Sequence, residues 1–176
     1  AKAAAAPPVL HDITVDVPRG KLVMVVGGVG AGKSSLASAF LRELNKVSGE
    51  VFVSSSIGYA SQEPFLINTT IRDNITFGQE YDPLWYQQVV NACALVTDFA
   101  LFPAGDLTEI AEKGSNLSGG QRQRVNVARA MYSNRQIYMF DDPFSAVDAH
   151  VGDHMFKNIC LPLRDMDRSV LLITNQ

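Results

Sequence analysis

A glycine-rich segment of this sequence ends in a lysine and a serine, a combination that can bind phosphate. Residues 27–34 read GGVGAGKS and fit the pattern G-x-x-x-x-G-K-S/T at every fixed position. Glycines let backbone N–H groups close around phosphate oxygens, while Lys33 adds a positive charge and the Ser34 hydroxyl can bind Mg²⁺. The alternative is a glycine-rich turn with an incidental lysine.

The flanking residues decide between these two readings. Residues 21–26 (KLVMVV) form a continuous apolar run that predicts a central strand buried on both faces. Apolar residues recur at helical spacing after Gly32 and predict a helix that ends near Val47. A strand followed by a helix is the context that phosphate binding requires, because the helix directs its positive end at the anion. The predicted phosphate-binding residues are Gly28, Val29, Gly30, Ala31, Gly32, Lys33, Ser34 and Ser35.

A carboxylate stands at the end of a second apolar run. Residues 137–141 read IYMFD, so Asp141 ends a predicted buried strand. An acidic residue after a strand is often no more than a strand terminus. Downstream of a phosphate-binding segment, however, it is the residue expected to hold Mg²⁺ together with Ser34.

A third segment, LSGGQ at residues 117–121, opens a long helical pattern. Ser118 can cap that helix, and bare glycine backbone at its positive end can bind an anion. The predicted residues of this second anion site are Ser118, Gly119, Gly120 and Gln121. A domain with two phosphate-binding segments suggests ATP held between two such domains.

LSGGQ followed by RQR resembles the signature of the ATP-binding cassette (ABC) superfamily, and the resemblance covers essentially the whole chain. More narrowly, the runs IRDNITFG and DDPFSAVDAHVG resemble the first nucleotide-binding domain of the C subfamily. That group includes the multidrug-resistance-associated exporters, the sulfonylurea receptors and the cystic fibrosis chloride channel.

The resemblance implies an architecture. It is an α/β P-loop NTPase fold with a mainly parallel sheet, an N-terminal antiparallel β portion and an inserted α-helical subdomain. Residues 1–61 and 132–176 would form the ATP-binding core, and residues 62–131 the Q-loop, the helical subdomain and the signature helix. The chain stops directly after a predicted strand, where we expect the C-terminal part of such a domain to continue.

The resemblance also assigns individual residues. Gln62 resembles the Q-loop glutamine, which contacts Mg²⁺ or water and senses the membrane domain. Residues 145–148 (SAVD) resemble the D-loop that crosses to the partner domain. An adenine-stacking aromatic would lie near Lys2, where four alanines follow.

Two positions depart from the pattern of active cassettes. Asp142 stands where a catalytic glutamate is usual and is one methylene shorter, so its reach as a general base is reduced. Asn175 stands where a histidine is usual, and an amide takes up no proton at neutral pH. We therefore expect slow hydrolysis at this domain's own site.

Shorter patterns complete the predicted element order. Strands are expected at residues 13–17, 51–53, 57–59, 136–140 and 169–174. A helix is expected from Pro83 to about Phe99, capped by Asp82. Alternation of apolar strands with helices predicts a mainly parallel sheet.

Composition bounds the classes of function. The 176 residues carry 15 Lys and Arg against 18 Asp and Glu, a net charge of −3, which gives no electrostatic reason to expect nucleic acid. No apolar run is long enough to cross a bilayer, and the start lacks a signal-peptide pattern. Two cysteines without metal-ligand spacing favour a reducing compartment and buried thiols.

The leading prediction is an MgATP-binding domain at the cytosolic face of a membrane. Its partners would be a second nucleotide-binding domain and the transmembrane domains of one transporter. A regulatory ATP sensor in a channel or receptor of the same subfamily is the second hypothesis. A soluble cassette ATPase acting on nucleic acid is the third, and the acidic balance disfavours it.

Overall fold

Four parallel strands form one sheet in the computed structural model, which describes residues 8–175. The strands are β1 (Leu22–Val26), β2 (Ile57–Ala60), β3 (Ile137–Asp141) and β4 (Ser169–Thr174), in the order β1-β4-β3-β2. Every pairing between them is parallel, so all four carboxyl ends meet at one edge of the sheet. The mainly parallel α/β sheet predicted from the sequence is confirmed.

Seven α-helices accompany this sheet within the described residues. They are α1 (Lys33–Phe40), α2 (Ile71–Thr76), α3 (Pro83–Ala92), α4 (Val96–Leu101), α5 (Gly119–Tyr132), α6 (Ala149–Met155) and α7 (Leu161–Asp165). A π-helical turn, Phe156–Cys160, joins α6 to α7. Helix α1 packs on one face, where Ala37 joins Met139 and Ile173, and the larger core lies on the other.

The caps of α3 follow the sequence, but its length does not. The Asp82 side chain accepts hydrogen bonds from the N–H groups of Leu84 and Trp85, with Pro83 at the first helical position. The predicted helix to Phe99 is instead two helices, because Ala94 adopts a positive φ of 52°. The Ala94 carbonyl accepts a hydrogen bond from Arg124 of α5, and no local sequence pattern predicts this contact.

The helix after the phosphate-binding segment is also shorter than predicted. Helix α1 ends at Phe40 rather than near Val47. Arg42 has a positive φ of 61°, and the N–H of Glu43 returns to the carbonyl of Ser38 at 2.9 Å. This local turn ends the helix before the later apolar residues can continue it.

The strand predicted to be central lies at an edge. Strand β1 pairs with β4 on one side only, and Met24 and Val26 are 48% and 62% exposed. An apolar run identifies a strand, but it does not fix the position of that strand in the sheet.

The predicted N-terminal antiparallel β portion does not form in the described part of the chain. Residues 13–17 and 51–53 are in no strand, and they pair neither with each other nor with the sheet. Ile13 is half exposed and Phe52 is exposed, so these segments lack the buried face that would fix a strand register.

No helix among residues 8–175 has both the length and the hydrophobicity that a membrane span requires.

Candidate functional site

The phosphate-binding segment, residues 27–34, begins at the carboxyl edge of the sheet. Val26, the last residue of β1, pairs with Thr174 of β4, so the segment leaves the sheet beside the end of β4. Gly30 and Gly32 have positive φ values of 80° and 86°, a conformation that glycine adopts without strain. The N–H of Ala31 donates to the carbonyl of Gly28 at 3.3 Å and closes the turn.

Lys33 folds back over this segment. Its Nζ donates to the carbonyl oxygens of Gly27 at 2.7 Å and Gly28 at 2.9 Å. The ammonium is therefore held against the loop whose N–H groups can bind an anion. Gly32 is the N-cap of α1, so the positive end of that helix points at the same place.

Ser34 lies in the first turn of α1, and α1 contacts β3. The Ser34 side chain interacts with the Asp141 carboxylate at the end of β3, which is 3% exposed. Burial raises the pKa of Asp141 above its usual range, and the charge of Asp142 raises it further, while the Ser34 hydrogen bond and Lys33 lower it. The site disfavours an uncompensated negative charge, which a bound cation would offset.

This donor set fits Mg²⁺. Magnesium at nucleotide sites is bound by one or two carboxylates together with substrate phosphates and waters. Ser34 and Asp141 provide a hydroxyl and a carboxylate that interact with each other, and Ser34 is the last residue of the phosphate-binding segment. The sequence predicted these two residues as metal ligands, and the structure brings them together.

Asp142 is buried beside Asp141 in an unusual backbone conformation. Its φ is +48°, and its N–H donates to the carbonyl of Ile173 at 2.8 Å, which fixes the turn. Ser145 donates from its hydroxyl to the Asp142 carbonyl at 2.9 Å. The buried Oδ1 of Asp142 has no hydrogen-bond partner in the described structure, so it is free to accept a hydrogen bond.

Asn175 and Gln62 lie at the same edge of the sheet. Asn175 follows β4, which separates β1 from β3, whereas Gln62 follows β2, the neighbour of β3. Both side chains are exposed, and neither hydrogen-bonds another residue within 8–175. Strand order therefore aligns the phosphate-binding segment, Asn175, Asp141 and Gln62 along one edge.

The loop that carries Gln62 is hydrogen-bonded to α5. Asn126 donates from Nδ2 to the Ser61 carbonyl at 2.9 Å, and Arg129 donates from Nη1 to the Phe65 carbonyl at 2.5 Å. Burial lowers the pKa of Arg129 to about 10, so it stays charged at neutral pH. Sequence reasoning missed both residues; the available signal was two polar residues three apart on the apolar face of a helix.

Arg129 also connects α2 to α5 and the Gln62 loop. Its Nε and Nη2 donate to the carbonyl and the side-chain Oδ1 of Asn74, both at 2.7 Å, and its guanidinium lies 4.5 Å from the Phe77 ring centroid. Helix α5 therefore holds the Gln62 loop and α2 through one side chain.

The LSGGQ segment caps α5 as predicted. The Ser118 Oγ accepts from the Gln121 N–H at 3.2 Å, and the Gln121 Oε1 accepts from the Ser118 N–H at 2.8 Å. At Gly120, a Cβ atom would lie 2.9 Å from the Ala146 carbonyl, so glycine permits close approach of the turn at residues 145–148.

The two predicted phosphate-binding segments are separate. Hydrogen bonds from the LSGGQ segment run within it and to neighbouring helices, and none joins it to residues 27–34 in the described part of the chain. The predicted adenine-stacking position near Lys2 lies outside the described residues.

Comparison with known proteins identifies relatives over most of the chain. The family model described as ABC transporter matches residues 10–145. ATP-binding cassette sub-family C member 3 of Homo sapiens is 51% identical over 156 residues, which cover 89% of this chain and 10% of that protein. ABC transporter C family member 9 of Arabidopsis thaliana is 52% identical over 169 residues, 96% of this chain and 11% of that protein.

A third relative agrees with these two. Multidrug resistance protein mrp-7 of Caenorhabditis elegans is 50% identical over 169 residues, 94% of this chain and 11% of that protein. The chain spans about a tenth of the length of the curated relatives it matches.

Proposed function

The chain belongs to the ABC transporter family, and from that premise we propose that it is a nucleotide-binding domain that binds MgATP at its own phosphate-binding segment. The observation that carries the proposal is that Ser34 and Lys33 both interact with the buried Asp141, while Lys33 is folded over the phosphate-binding segment. These are the groups that address the β- and γ-phosphates and their metal.

Different residues of the proposed site have different roles in binding MgATP. The N–H groups of residues 28–32 surround phosphate oxygens, and Lys33 leaves its carbonyl partners to pair with the β- and γ-phosphates. Ser34, Asp141 and Gln62 would hold Mg²⁺, which would supply positive charge to offset that of the phosphates. Asp142 and Asn175 take the positions of base and proton carrier, for which a short carboxylate and an amide are poorly suited.

The LSGGQ segment serves a different nucleotide in this proposal. Because it is separate from residues 27–34, one chain offers two half-sites, and two domains in opposite orientation complete two ATP sites. ATP-driven dimerisation with a second nucleotide-binding domain follows, in which Ser118 contacts the nucleotide bound by the partner. The site at Lys33 is then degenerate and slow, while the partner's site depends on this chain's signature.

The setting of this dimer is a transporter. The relatives carry the names of sub-family C and multidrug resistance proteins, which supports a domain that acts at the cytosolic face of a membrane with transmembrane domains in the same protein. Asp142 and Asn175 also favour a second candidate, a regulatory ATP-sensing domain without transport of its own. We propose no nucleic-acid partner, since the net charge is −3.

Calorimetry with MgATP and AMP tests the binding proposal. The domain is expected to bind MgATP in preference to AMP, and Lys33→Ala should weaken MgATP binding by about 30-fold or more, because charge-assisted hydrogen bonds to phosphate are lost. Lys157→Ala is the matched control, since Lys157 pairs with Asp153 on the surface. Equal MgATP affinity of the wild type and Lys33→Ala would contradict the assignment.

A further inference from the structure

A buried carboxylate outside every motif contacts the signature segment. Asp98 lies on α4 and is 8% exposed. Its Oδ1 accepts a hydrogen bond from the Gln121 Nε2 at 2.8 Å. We propose that Asp98 is a positioning residue that sets Gln121 and, through it, Ser118 at the start of α5; the inference rests on the proposed role of LSGGQ in a shared ATP site.

The two ends of the Gln121 amide have partners of opposite character. The Nε2 donates to a carboxylate, and the Oε1 accepts from the Ser118 N–H at 2.8 Å. A carboxylate only accepts hydrogen bonds, and a backbone N–H only donates them. If the Gln121 amide were reversed, its oxygen would face the Asp98 carboxylate and its NH₂ group would face the Ser118 N–H. Asp98 therefore selects one orientation of Gln121, the orientation that completes the cap.

Arg124 holds Asp98 in place for this task. Its Nη1 lies 2.5 Å from the Asp98 Oδ2, and its Nη2 donates to Oδ1 at 3.2 Å. Arg124 follows Gln121 by three residues, so one face of α5 presents both donors to the same carboxylate. The attraction between the two charges offsets the free-energy cost of burying them, so the ion pair adds little net stability. Its geometry leaves Oδ1 aimed at Gln121.

The cap fixes the Ser118 side chain and leaves its O–H available as a donor. The Ser118 Oγ accepts from the Gln121 N–H, and within residues 8–175 its O–H is donated to no other residue. The first N–H groups of a helix have no acceptor inside it, so Gly119 and Gly120 present theirs beside this hydroxyl. Loss of Asp98 would free the Gln121 amide, loosen the cap and disorder the donors that meet the partner's nucleotide.

A double-mutant cycle in the full-length protein tests the inference. The variants are Asp98→Ala, Gln121→Ala and the double variant, with kcat and KM for ATP hydrolysis as the readout. Each single variant should lower kcat about tenfold with little change in KM, as expected for one hydrogen bond to a charged group. Because Asp98 acts through Gln121, the double variant should be about as slow as Gln121→Ala.

Two further variants separate positioning from stability. Asp98→Asn keeps an oxygen that can accept from Gln121 but loses the ion pair, so it should keep most of kcat while the midpoint of unfolding falls. Asp106→Ala removes a comparable partly buried pair, Arg72–Asp106, and should leave kcat within about twofold of wild type.

The outcomes divide clearly. The inference is overturned if the reductions in kcat caused by Asp98→Ala and Gln121→Ala multiply in the double variant. It is also overturned if Asp98→Asn is as slow as Asp98→Ala. In either case Asp98 is only a structural residue. If Gln121→Ala leaves kcat unchanged, the proposed role of the signature segment fails, and the inference fails with it.

Discussion

At the residue scale, the proposed site has one set of residues for nucleotide binding and a different set for hydrolysis. Lys33, Ser34 and Asp141 lie together at the start of α1 and the end of β3. Asp142 is held rigidly, but its carboxylate is one methylene shorter than the glutamate of active cassettes. Asn175 is exposed after β4 and carries no titratable group. In the proposed site, the residues for binding therefore fit their role better than those for hydrolysis.

Hydrolysis should respond to restoration of the missing groups only in a closed dimer. The isolated chain is expected to hydrolyse ATP very slowly, and Asp142→Glu with Asn175→His should accelerate turnover only when a second domain supplies its signature. Phosphate release, measured with and without the partner domain, checks this. Rapid turnover by the unmodified chain alone would contradict it.

Local motifs in the sequence predict one set of residues, and they give no sign of the residues that act across the fold. The residues of the phosphate-binding segment, Asp141 and Ser118 were all predicted from strings of five to eight residues. Asp98 and Arg129 were not, because their partners lie 23 to 64 residues away in the chain. A pairing at that separation depends on how helices pack, which no local spacing encodes.

At the element scale, α5 is the element to which the others are attached. Its start carries the signature segment, its middle holds the Gln62 loop through Asn126 and Arg129, and its inner face packs on β2. The sequence predicted α5 and its cap but not α2 or α6, which are short and weakly periodic. Their positions are set by contacts with α5 and the π-helical turn rather than by helix propensity.

The packing of β2 against α5 depends on Gly58. A Cβ atom there would lie 2.9 Å from the Ala130 carbonyl and from the Tyr138 ring. Gly58→Ala should therefore lower the free energy of unfolding by about 1–3 kcal/mol. Denaturant unfolding measures this, with Gly28→Ala as the control, since a Cβ at Gly28 meets nothing within 4 Å. Equal midpoints for wild type and Gly58→Ala would contradict the packing.

At the scale of the whole molecule, the parallel sheet aligns the carboxyl ends of its four strands along one edge, where the proposed site lies. Apolar runs predicted the strands, and motif order predicted that residues 27–34 and Asp141 meet. The place of β1 at the edge was not predictable, because its run of apolar residues resembles a central strand. The expected antiparallel portion is absent from the described residues for a related reason. The alternation at residues 13–17 predicts a strand, but it does not indicate which segment that strand would pair with.

The two cysteines report on the integrity of this fold. Cys93 and Cys160 are buried, and burial raises the pKa of Cys160 to about 12 and that of Cys93 also well above its usual value. Both thiols therefore stay protonated and shielded at pH 8. A chromogenic thiol reagent should react with neither in the native chain and with both after unfolding in denaturant. Rapid reaction of a thiol in the native chain would show that the core is more open than described.

The central claim is that this chain binds ATP at Lys33 and lends its signature to a partner's site. Ser118→Arg in the full-length protein places a long cation where the partner's γ-phosphate would meet the start of α5. Nucleotide occupancy of each site, measured after trapping with a non-hydrolysable analogue, together with ATPase rate, tests the claim most directly. We expect Ser118→Arg to abolish coupled ATPase activity and to leave nucleotide occupancy at Lys33 nearly intact. Loss of occupancy at Lys33 while the partner site cycles normally would contradict it.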